Sequence, residues 1–293
     1  MIPQRNISLI TNSLATDNKR RLPEAVIERD YVLAWFLSGL SNHPLREKLA
    51  FKGGTALRRC WFDGYRFSED MDFTLIEPLA IENVMTGFGD IHNAVRAASG
   101  VHIQFDQKDS REGRNSHTFY LQYQGPLPTK NSVKVDITLT EQICFPLQER
   151  PILRQYEMFN DLPEGAAILA YSLNEIMVEK IVALSDRARN EPRDLYDLWY
   201  LLNHHDSELA DITPELESKL AFRQRTLENV MQNVVVKEDR LRRLWSHRLS
   251  QQVSDLPSYD SVYRDVKRAL RAAYLNYRAA GQPSNVQTRS RNR

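Results

Sequence analysis

The chain has 293 residues, of which 42% are hydrophobic and 26% charged, and its formal net charge at pH 7 is +1. This length favours two domains, and the composition is that of an ordinary soluble globular protein. The longest apolar run, Tyr31 to Leu40, is too short to cross a bilayer, and residues Met1 to Arg5 lack the apolar block of a signal peptide. We therefore expect a cytoplasmic protein with no membrane partner.

The first element predicted along the chain is a helix from Pro23 to Leu40. Its apolar residues recur with a helical period, and Glu24 is favourable in the first turn because it complements the helix dipole. The periodic positions are Val26, Ile27, Val32, Leu33, Phe36 and Leu37.

A glycine turn follows at Gly53-Gly54-Thr55 and opens a second helix. The first backbone N–H groups of a helix have no partner within it, and together with the positive end of the helix dipole they favour an anion. We expect this turn to bind the phosphates of a nucleoside triphosphate.

Two aspartates, Asp70 and Asp72, alternate with the apolar residues Met71, Phe73 and Leu75. Because strand side chains alternate between faces, both carboxylates are expected on one face. Such a pair is a hard-oxygen site for Mg²⁺ or Mn²⁺. An isolated Asp-x-Asp pair is more often part of a loop or a helix cap, so the pair alone does not decide the function.

The order and spacing of these two features resemble the signature of the polymerase-β nucleotidyltransferase superfamily. More narrowly, Lys52 to Leu57 followed by Arg66 to Asp72 looks like the motif of the AbiEii and MenT group of toxin nucleotidyltransferases, Arg-x-Ser/Thr-x-Asp-x-Asp. The resemblance implies that Lys52 and Arg66 bind the nucleotide together with the glycine turn. Ser68 lies two residues before Asp70 on the same strand face, so it could contact a phosphate or a water bound to the metal. A strand-start hydroxyl bound to local backbone is the plainer reading of Ser68.

The next segments predict a helix from Ile81 to Ala98 and three strands at 101–105, 118–123 and 133–139. A mixed sheet with flanking helices follows, and the fold class is α+β. In the last strand, Asp136 falls on the polar face and could be the third metal-binding carboxylate. The alternative is an exposed aspartate on an edge strand.

Beyond Pro151 the sequence becomes helical, and a domain boundary is expected near residue 165. The predicted organisation is a nucleotidyltransferase core at 1–165, a helical basic domain at 166–280 and a disordered tail at 281–293. Ser172 and Glu175 form a capping-box pattern at the start of a helix.

Four charged residues of this helical part match further motifs of the toxin family in order: Lys180, Arg187, Asp194 and Asp197. Arg187 lies seven residues after Lys180, so a continuous helix would put both on one face. The resemblance implies catalytic roles for Lys180 and Asp194, and nucleotide contacts for Arg187 and Asp197. Aspartates in a first helical turn also complement the dipole whatever the protein does, which is the simpler explanation of Asp194 and Asp197.

The charge is distributed unevenly: residues 219 to 293 hold 16 Lys and Arg against 6 Asp and Glu, a net of +10, and the preceding residues have a net of −9. Aromatic residues interleave with the basic ones, a pattern that suits a phosphate-backbone partner. Solvated helix faces with aromatics turned to the core explain it equally well. The two cysteines, Cys60 and Cys144, match no metal-ligand spacing and are expected to be reduced thiols.

These observations predict an enzyme that transfers a nucleotide from an NTP with Mg²⁺ held by Asp70, Asp72 and Asp136. The resemblance implies a toxin of a bacterial toxin–antitoxin or phage-defence system, with a cognate antitoxin, that acts on the 3′ acceptor end of tRNA. The alternatives are transfer to a small-molecule or protein hydroxyl, and an inactive nucleotide- or RNA-binding homologue.

Overall fold

The structure of the protein is a computed structural model that describes residues 1–18 and 21–280. The tail expected to be disordered, 281–293, lies outside the described residues. The strands are β1 (Leu49–Lys52), β2 (Asp70–Leu75), β3 (His102–Glu112), β4 (Ser116–Gln124), β5 (Asn131–Thr138), β6 (Gln148–Pro151) and β7 (Ala167–Ala170). The α-helices are α1 (Gln4–Asn18), α2 (Glu24–Ser41), α3 (Gly53–Ala56), α4 (Ile81–Ser99), α5 (Leu173–Ser185), α6 (Pro192–His204), α7 (Thr213–Phe222), α8 (Leu227–Val236), α9 (Glu238–Leu249) and α10 (Tyr259–Ala280).

The strands form one seven-stranded sheet in the order β3-β4-β5-β2-β1-β7-β6. β2 is parallel to β5, β1 is parallel to β7, and the other neighbouring pairs are antiparallel. The predicted mixed sheet with flanking helices is therefore confirmed. The four-residue strands β1, β6 and β7 were not predicted, because segments this short show no readable alternation.

One face of the central strands is apolar and buried, and the other is polar. Met71 and Phe73 of β2 are buried, as are Val135 and Ile137 of β5, whereas Asp72 between them is partly exposed. The alternation read from the sequence is thus realised. It leaves the aspartates on the open face of the sheet.

Helices α2 and α4 cover the apolar face. Phe36 of α2 lies 5.0 Å, centroid to centroid, from Phe88 of α4, and Phe88 in turn contacts Phe73 of β2 and Phe119 of β4. Edge-on aromatic contacts of this kind add to the hydrophobic burial of large rings. This aromatic cluster fixes the sheet from behind.

The chain divides into two compact units. Unit 1 comprises Met1–Met177 and Arg243–Pro257, and unit 2 comprises Val178–Arg242 and the chain from Ser258 onward. This division differs from the boundary expected at residue 165, since the sheet strand β7 lies after it and a C-terminal segment belongs to unit 1. Contacts between segments distant in sequence leave no local sequence signal.

Unit 2 is helical. Its helix α10 packs on α6 and α8 through a buried row formed by Val262, Val266, Leu270 and Ala273. Intervals of four, four and three residues make that row the core stripe of an amphipathic helix.

The capping box expected at the start of α5 is formed on one side. The Ser172 hydroxyl accepts the backbone N–H of Glu175 at 3.2 Å. The Glu175 carboxylate accepts backbone N–H groups of Cys144 and Phe145, each at 2.8 Å. The carboxylate therefore ties the loop after β5 to the start of α5.

No helix within residues 1–18 and 21–280 is long and apolar enough to span a membrane.

Candidate active site

The turn after β1 brings Gly53 and Gly54 against two residues of the predicted motif. Gly53 has a φ of +78°, which glycine adopts without steric cost. A Cβ on Gly53 would lie 2.4 Å from Oδ2 of Asp72, and one on Gly54 would lie 2.5 Å from Nη2 of Arg66. A side chain at either position would have to displace the end of the Asp72 or Arg66 side chain, and at Gly53 the positive φ disfavours other residues as well.

Thr55 links the same turn to β2. Its hydroxyl donates to the backbone carbonyl of Asp70, and the residue is almost fully buried. The hydroxyl therefore holds the first residue of β2 in place. A contact of Thr55 with a nucleotide would involve its backbone.

The predicted carboxylates stand side by side on the open face of the sheet. In the parallel ladder between β2 and β5, Asp72 is paired with Asp136, and Asp70 is paired with Lys134. The Asp136 carboxylate accepts the Thr118 hydroxyl and contacts the Lys134 ammonium. The side chains of Lys134 and Asp136 are 34% and 29% exposed, so solvent and ligands can reach them.

The Lys134 ammonium lies in the combined field of these carboxylates. Burial lowers its pKa, but the contact with Asp136 and the charges of Asp70 and Asp72 raise it, and the net shift is upward. Three negative groups thus converge on one cation, on the face where the sequence predicted a metal ion.

The segment before β2 is held in place by Gln252, a residue that sequence reasoning missed. Arg66 is buried, and its Nη1 donates to Oε1 of Gln252 and to the carbonyl of Phe67, both at 3.0 Å. The carbonyl of Gln252 accepts the N–H of Phe67 at 2.9 Å. Gln252 belongs to the C-terminal segment of unit 1, and nothing in its local sequence marks it.

Arg58 holds the same segment from the other side. This buried arginine donates to both carboxylate oxygens of Asp30 at 2.9 and 2.7 Å and to the carbonyl of Tyr65. Its guanidinium lies 3.9 Å from the centre of the Phe67 ring. Burial would lower the pKa of Arg58, but Asp30 raises it, so the side chain stays charged.

In unit 2, Lys180 of α5 meets both predicted aspartates of α6. Its Nζ lies 3.2 Å from Oδ1 of Asp194 and 2.7 Å from Oδ2 of Asp197. The side chain of Lys180 is 10% exposed, and those of Asp194 and Asp197 are 3% and 0% exposed. The spacing of Asp194 and Asp197 does place them on one helix face, as expected.

The expectation for Arg187 is wrong in its geometry. Helix α5 ends at Ser185, so Arg187 lies on an exposed bend beyond it and shares no helix face with Lys180. The cation beside the cluster is Arg189, whose Nε lies 2.6 Å from Oδ2 of Asp194. Burial would raise the pKa of Asp194, but Lys180 and Arg189 lower it below the ordinary value.

Comparison with known proteins shows which family contains this chain. The chain matches the family described as "Nucleotidyl transferase AbiEii toxin, Type IV TA system" over residues 35–273. The chain belongs to the AbiEii family of nucleotidyltransferase toxins. The structure is similar to that of MenT4, a nucleotidyltransferase toxin of Mycobacterium tuberculosis H37Rv, with a TM-score of 0.59, 17% identity and 89% of each chain covered. No curated protein sequence matches significantly.

Membership of the AbiEii family confirms the resemblance read from the glycine turn and the Asp-x-Asp strand. It assigns the chain to nucleotidyl transfer, and the MenT4 likeness extends to the fold, including the helical C-terminal part. The roles of the individual residues stay predictions.

The donor chemistry of the carboxylate face fits a divalent cation. Asp70, Asp72 and Asp136 offer the hard oxygens that Mg²⁺ prefers, and the ladder puts two of them in register. In the described part of the chain, no three His, Cys, Asp or Glu side chains are already arranged around a metal position. The cation that contacts Asp136 is the Lys134 ammonium.

The basic C-terminal region of this AbiEii-family chain has an open surface along one face of helix α10. Four of the lining residues are cationic: Arg264, Lys267, Arg268 and Arg271. Asp265 pairs with Arg268 at 3.0 Å, and Arg264 and Arg268 are more than 70% exposed. This face of α10 is therefore open and positively charged.

Three of the interleaved aromatics do not form an exposed stacking surface. Trp245, Tyr259 and Tyr263 are buried. The charge of Arg242 is already compensated, because its guanidinium pairs with Glu238 and Asp260. The simpler explanation, aromatics turned to the core, therefore holds for these residues.

Sequence reasoning also missed Lys237, which closes the bend after α5. Its Nζ donates to the carbonyls of Leu184, Asp186 and Arg189 at 2.6, 2.9 and 3.2 Å. Burial lowers the pKa of Lys237 to about 8. Lysine is rarely buried in proteins, and the sequence around Lys237 shows neither its burial nor its partners.

Proposed function

We propose that this toxin nucleotidyltransferase transfers a nucleotide from an NTP to the 3′ hydroxyl at the acceptor end of tRNA, with Mg²⁺, and so blocks translation. The observation that carries the proposal is the in-register pair Asp72 and Asp136, with the backbone of Gly53 directly against Asp72. A triphosphate on the turn would have its phosphates beside these carboxylates.

The reaction is a single displacement at phosphorus. The oxygen of the acceptor hydroxyl bonds to the α-phosphorus, the bond from that phosphorus to the bridging oxygen breaks, and pyrophosphate leaves. The hydroxyl proton passes to a carboxylate of the cluster. A divalent cation held by Asp70, Asp72 and Asp136 would polarise the α-phosphate and offset the charge of the leaving group.

The residues of the turn and the preceding segment position the nucleotide. The backbone at Gly53 and Gly54 and the side chains of Arg66 and Ser68 suit the phosphates, since a hypothetical Cβ on Gly54 reaches both side chains within 3.3 Å. Catalysis of phosphoryl transfer consists mainly of such positioning and of charge stabilisation. Lys52, at the end of β1, is paired with Asp72 across the ladder and lies on this side.

For the residues of unit 2 we propose that Lys180, Asp194 and Asp197 serve the reaction as one cluster, with Arg187 as a further cation for phosphate. The matching order of these residues in the toxin family supports this assignment. Their mutual contacts are consistent with a preorganised group.

RNA is the favoured acceptor class because of the cationic face of α10. Spaced cations on an open helix face suit a phosphate backbone, and the resulting affinity depends strongly on salt. A small-molecule acceptor would have no use for such a surface.

The decisive experiment incubates the purified protein with each α-³²P-labelled NTP, Mg²⁺ and total bacterial RNA. Label should move to the 3′ ends of tRNA, EDTA should abolish the transfer, and Asp72→Asn should reduce it about 10²- to 10³-fold. Label on protein or on an added antibiotic would replace the RNA proposal, and no transfer to any acceptor would favour an inactive binding homologue.

A second experiment tests the acceptor surface. Replacing Arg264, Lys267, Arg268 and Arg271 by Gln should raise the KM for RNA and flatten its salt dependence, while NTP affinity stays unchanged. The matched control removes four exposed cations of unit 1, which are Arg96, Arg111, Arg114 and Lys130. Equal effects of both variants would mean that α10 is not a specific surface.

A further inference from the structure

Two lysines share the sheet face that carries the carboxylates. Lys134 lies opposite Asp70 in the ladder and two residues before Asp136, whose carboxylate it contacts. Lys52 lies opposite Asp72, and its Nζ donates to the hydroxyl of Thr138 at 3.0 Å. The described face therefore combines three carboxylates with two ammonium groups, and the Lys134 ammonium contacts the carboxylate of Asp136, a predicted metal ligand.

The position of Lys134 disfavours a metal ion that binds without a polyphosphate. A divalent ion held by Asp72 and Asp136 would come close to the Lys134 ammonium, and the two positive charges would repel each other at this partly solvated surface. Removing that ammonium would expose Asp136 to the ion.

We propose that Lys134 is a positioning residue that acts as the resident cation of the carboxylate cluster, so that metal alone binds weakly and metal with polyphosphate binds strongly. The inference rests on the function proposed above. When a triphosphate arrives, the long and partly exposed Lys134 side chain leaves Asp136 for a phosphate oxygen, and the metal takes its place. Lysine suits this exchange because its ammonium is a point charge on a flexible stem.

The coupling is reciprocal by thermodynamic necessity. If polyphosphate strengthens metal binding by some factor, metal strengthens polyphosphate binding by the same factor. A toxin that binds metal only weakly without a nucleotide keeps the Asp136 carboxylate paired with Lys134 until the nucleotide is present. An ordinary surface ion pair between Lys134 and Asp136 would instead contribute almost nothing to metal affinity.

The test measures Mn²⁺ binding to the full chain by electron paramagnetic resonance, with and without inorganic tripolyphosphate, using free Mn²⁺ concentrations. Lys134→Met should bind Mn²⁺ alone about tenfold more tightly than the unmodified protein, the effect of one competing charge near a solvated site. Tripolyphosphate should increase the Mn²⁺ affinity of Lys134→Met less than it increases that of the unmodified protein. Lys134→Arg keeps the charge and should retain weak binding, and the exposed Lys130→Met is the matched control.

The outcomes separate the two proposals. Equal or weaker Mn²⁺ binding by a folded Lys134→Met protein overturns the role of Lys134, provided that Asp72→Asn has lost the ion. Undiminished Mn²⁺ binding by Asp72→Asn overturns the metal site itself, and the role of Lys134 with it. Melting temperatures of all variants, measured without metal, show that each is folded.

Discussion

The two units each contain lysine between carboxylates, and burial makes these clusters different. On the open face of unit 1, Lys134 and Asp136 are each about one-third exposed, at 34% and 29%. In unit 2, Lys180, Asp194 and Asp197 are at most 10% exposed. The first cluster can exchange its partners with a ligand, whereas the second is already closed by its own contacts.

This difference shows how burial decides what an ion pair can do. An exposed pair contributes roughly 0–1 kcal/mol to stability, so that separating it for a ligand costs little. Removing one member of a buried pair costs several times more, because the remaining charge stays without compensation. The same residue types thus form a solvent-accessible cluster in one unit and a closed cluster in the other.

The strongest way to break this comparison is Asp72→Asn in the open cluster. The change deletes one charge but keeps the shape, so transfer should fall about 10²- to 10³-fold, as when an electrostatic catalytic group is lost, while the melting temperature stays unchanged. Turnover is measured with labelled NTP. The exposed Asp63→Asn is the control, and wild-type turnover of Asp72→Asn would show that the open face is not the site.

The buried cluster should respond in stability. Lys180→Met removes the ammonium that lies 2.7 Å from Oδ2 of Asp197 and should destabilise unit 2 by about 3–5 kcal/mol, measured by urea unfolding. Adding Asp197→Leu removes the stranded charge and should restore most of this stability. We expect the stabilised double variant to stay inactive; full activity would mean that the cluster is only a structural support.

A smaller effect is expected at Gln252, which supports the open cluster through Arg66. Gln252→Ala leaves a buried donor of Arg66 without its partner, a loss of roughly 1–3 kcal/mol, and should raise the KM for NTP more than it lowers kcat. Gln252→Glu keeps an acceptor and should restore the KM. The neighbouring exposed Gln251→Ala is the control, and an equal KM in both Ala variants would remove Gln252 from the site.

The smallest expected effect is on the way that the stability of the buried cluster decreases at acid pH. The pKa of Asp194 is lower in the folded protein than its ordinary value of 3.8, so its stabilising contribution is present above that value and is lost as the pH falls through the folded pKa. Between pH 5 and about 2.5, Asp194→Asn should therefore lose less stability than the unmodified protein. Asp206→Asn, which removes an exposed carboxylate, should follow the unmodified curve.

What the sequence predicted well depended on local patterns. Alternation in β2 and β5 placed Asp72 and Asp136 on one face, and the glycine turn was readable from residue types alone. The contact of Arg66 with Gln252 joins residues 186 positions apart and has no local pattern. Arg187 was misplaced because the sequence from Asp186 to Asn190 contains no Gly or Pro to mark the end of α5.

The long separation between Arg66 and Gln252 has a consequence for synthesis. A ribosome that adds about 5–20 residues per second needs roughly 10–40 s to make the intervening chain. During that interval the nascent protein already contains the turn and the carboxylates but not the segment that fixes Arg66. We expect a chain released before residue 252 to bind NTP poorly, which equilibrium binding to a truncated protein would measure. The toxin would then become active only after residue 252 has been synthesised.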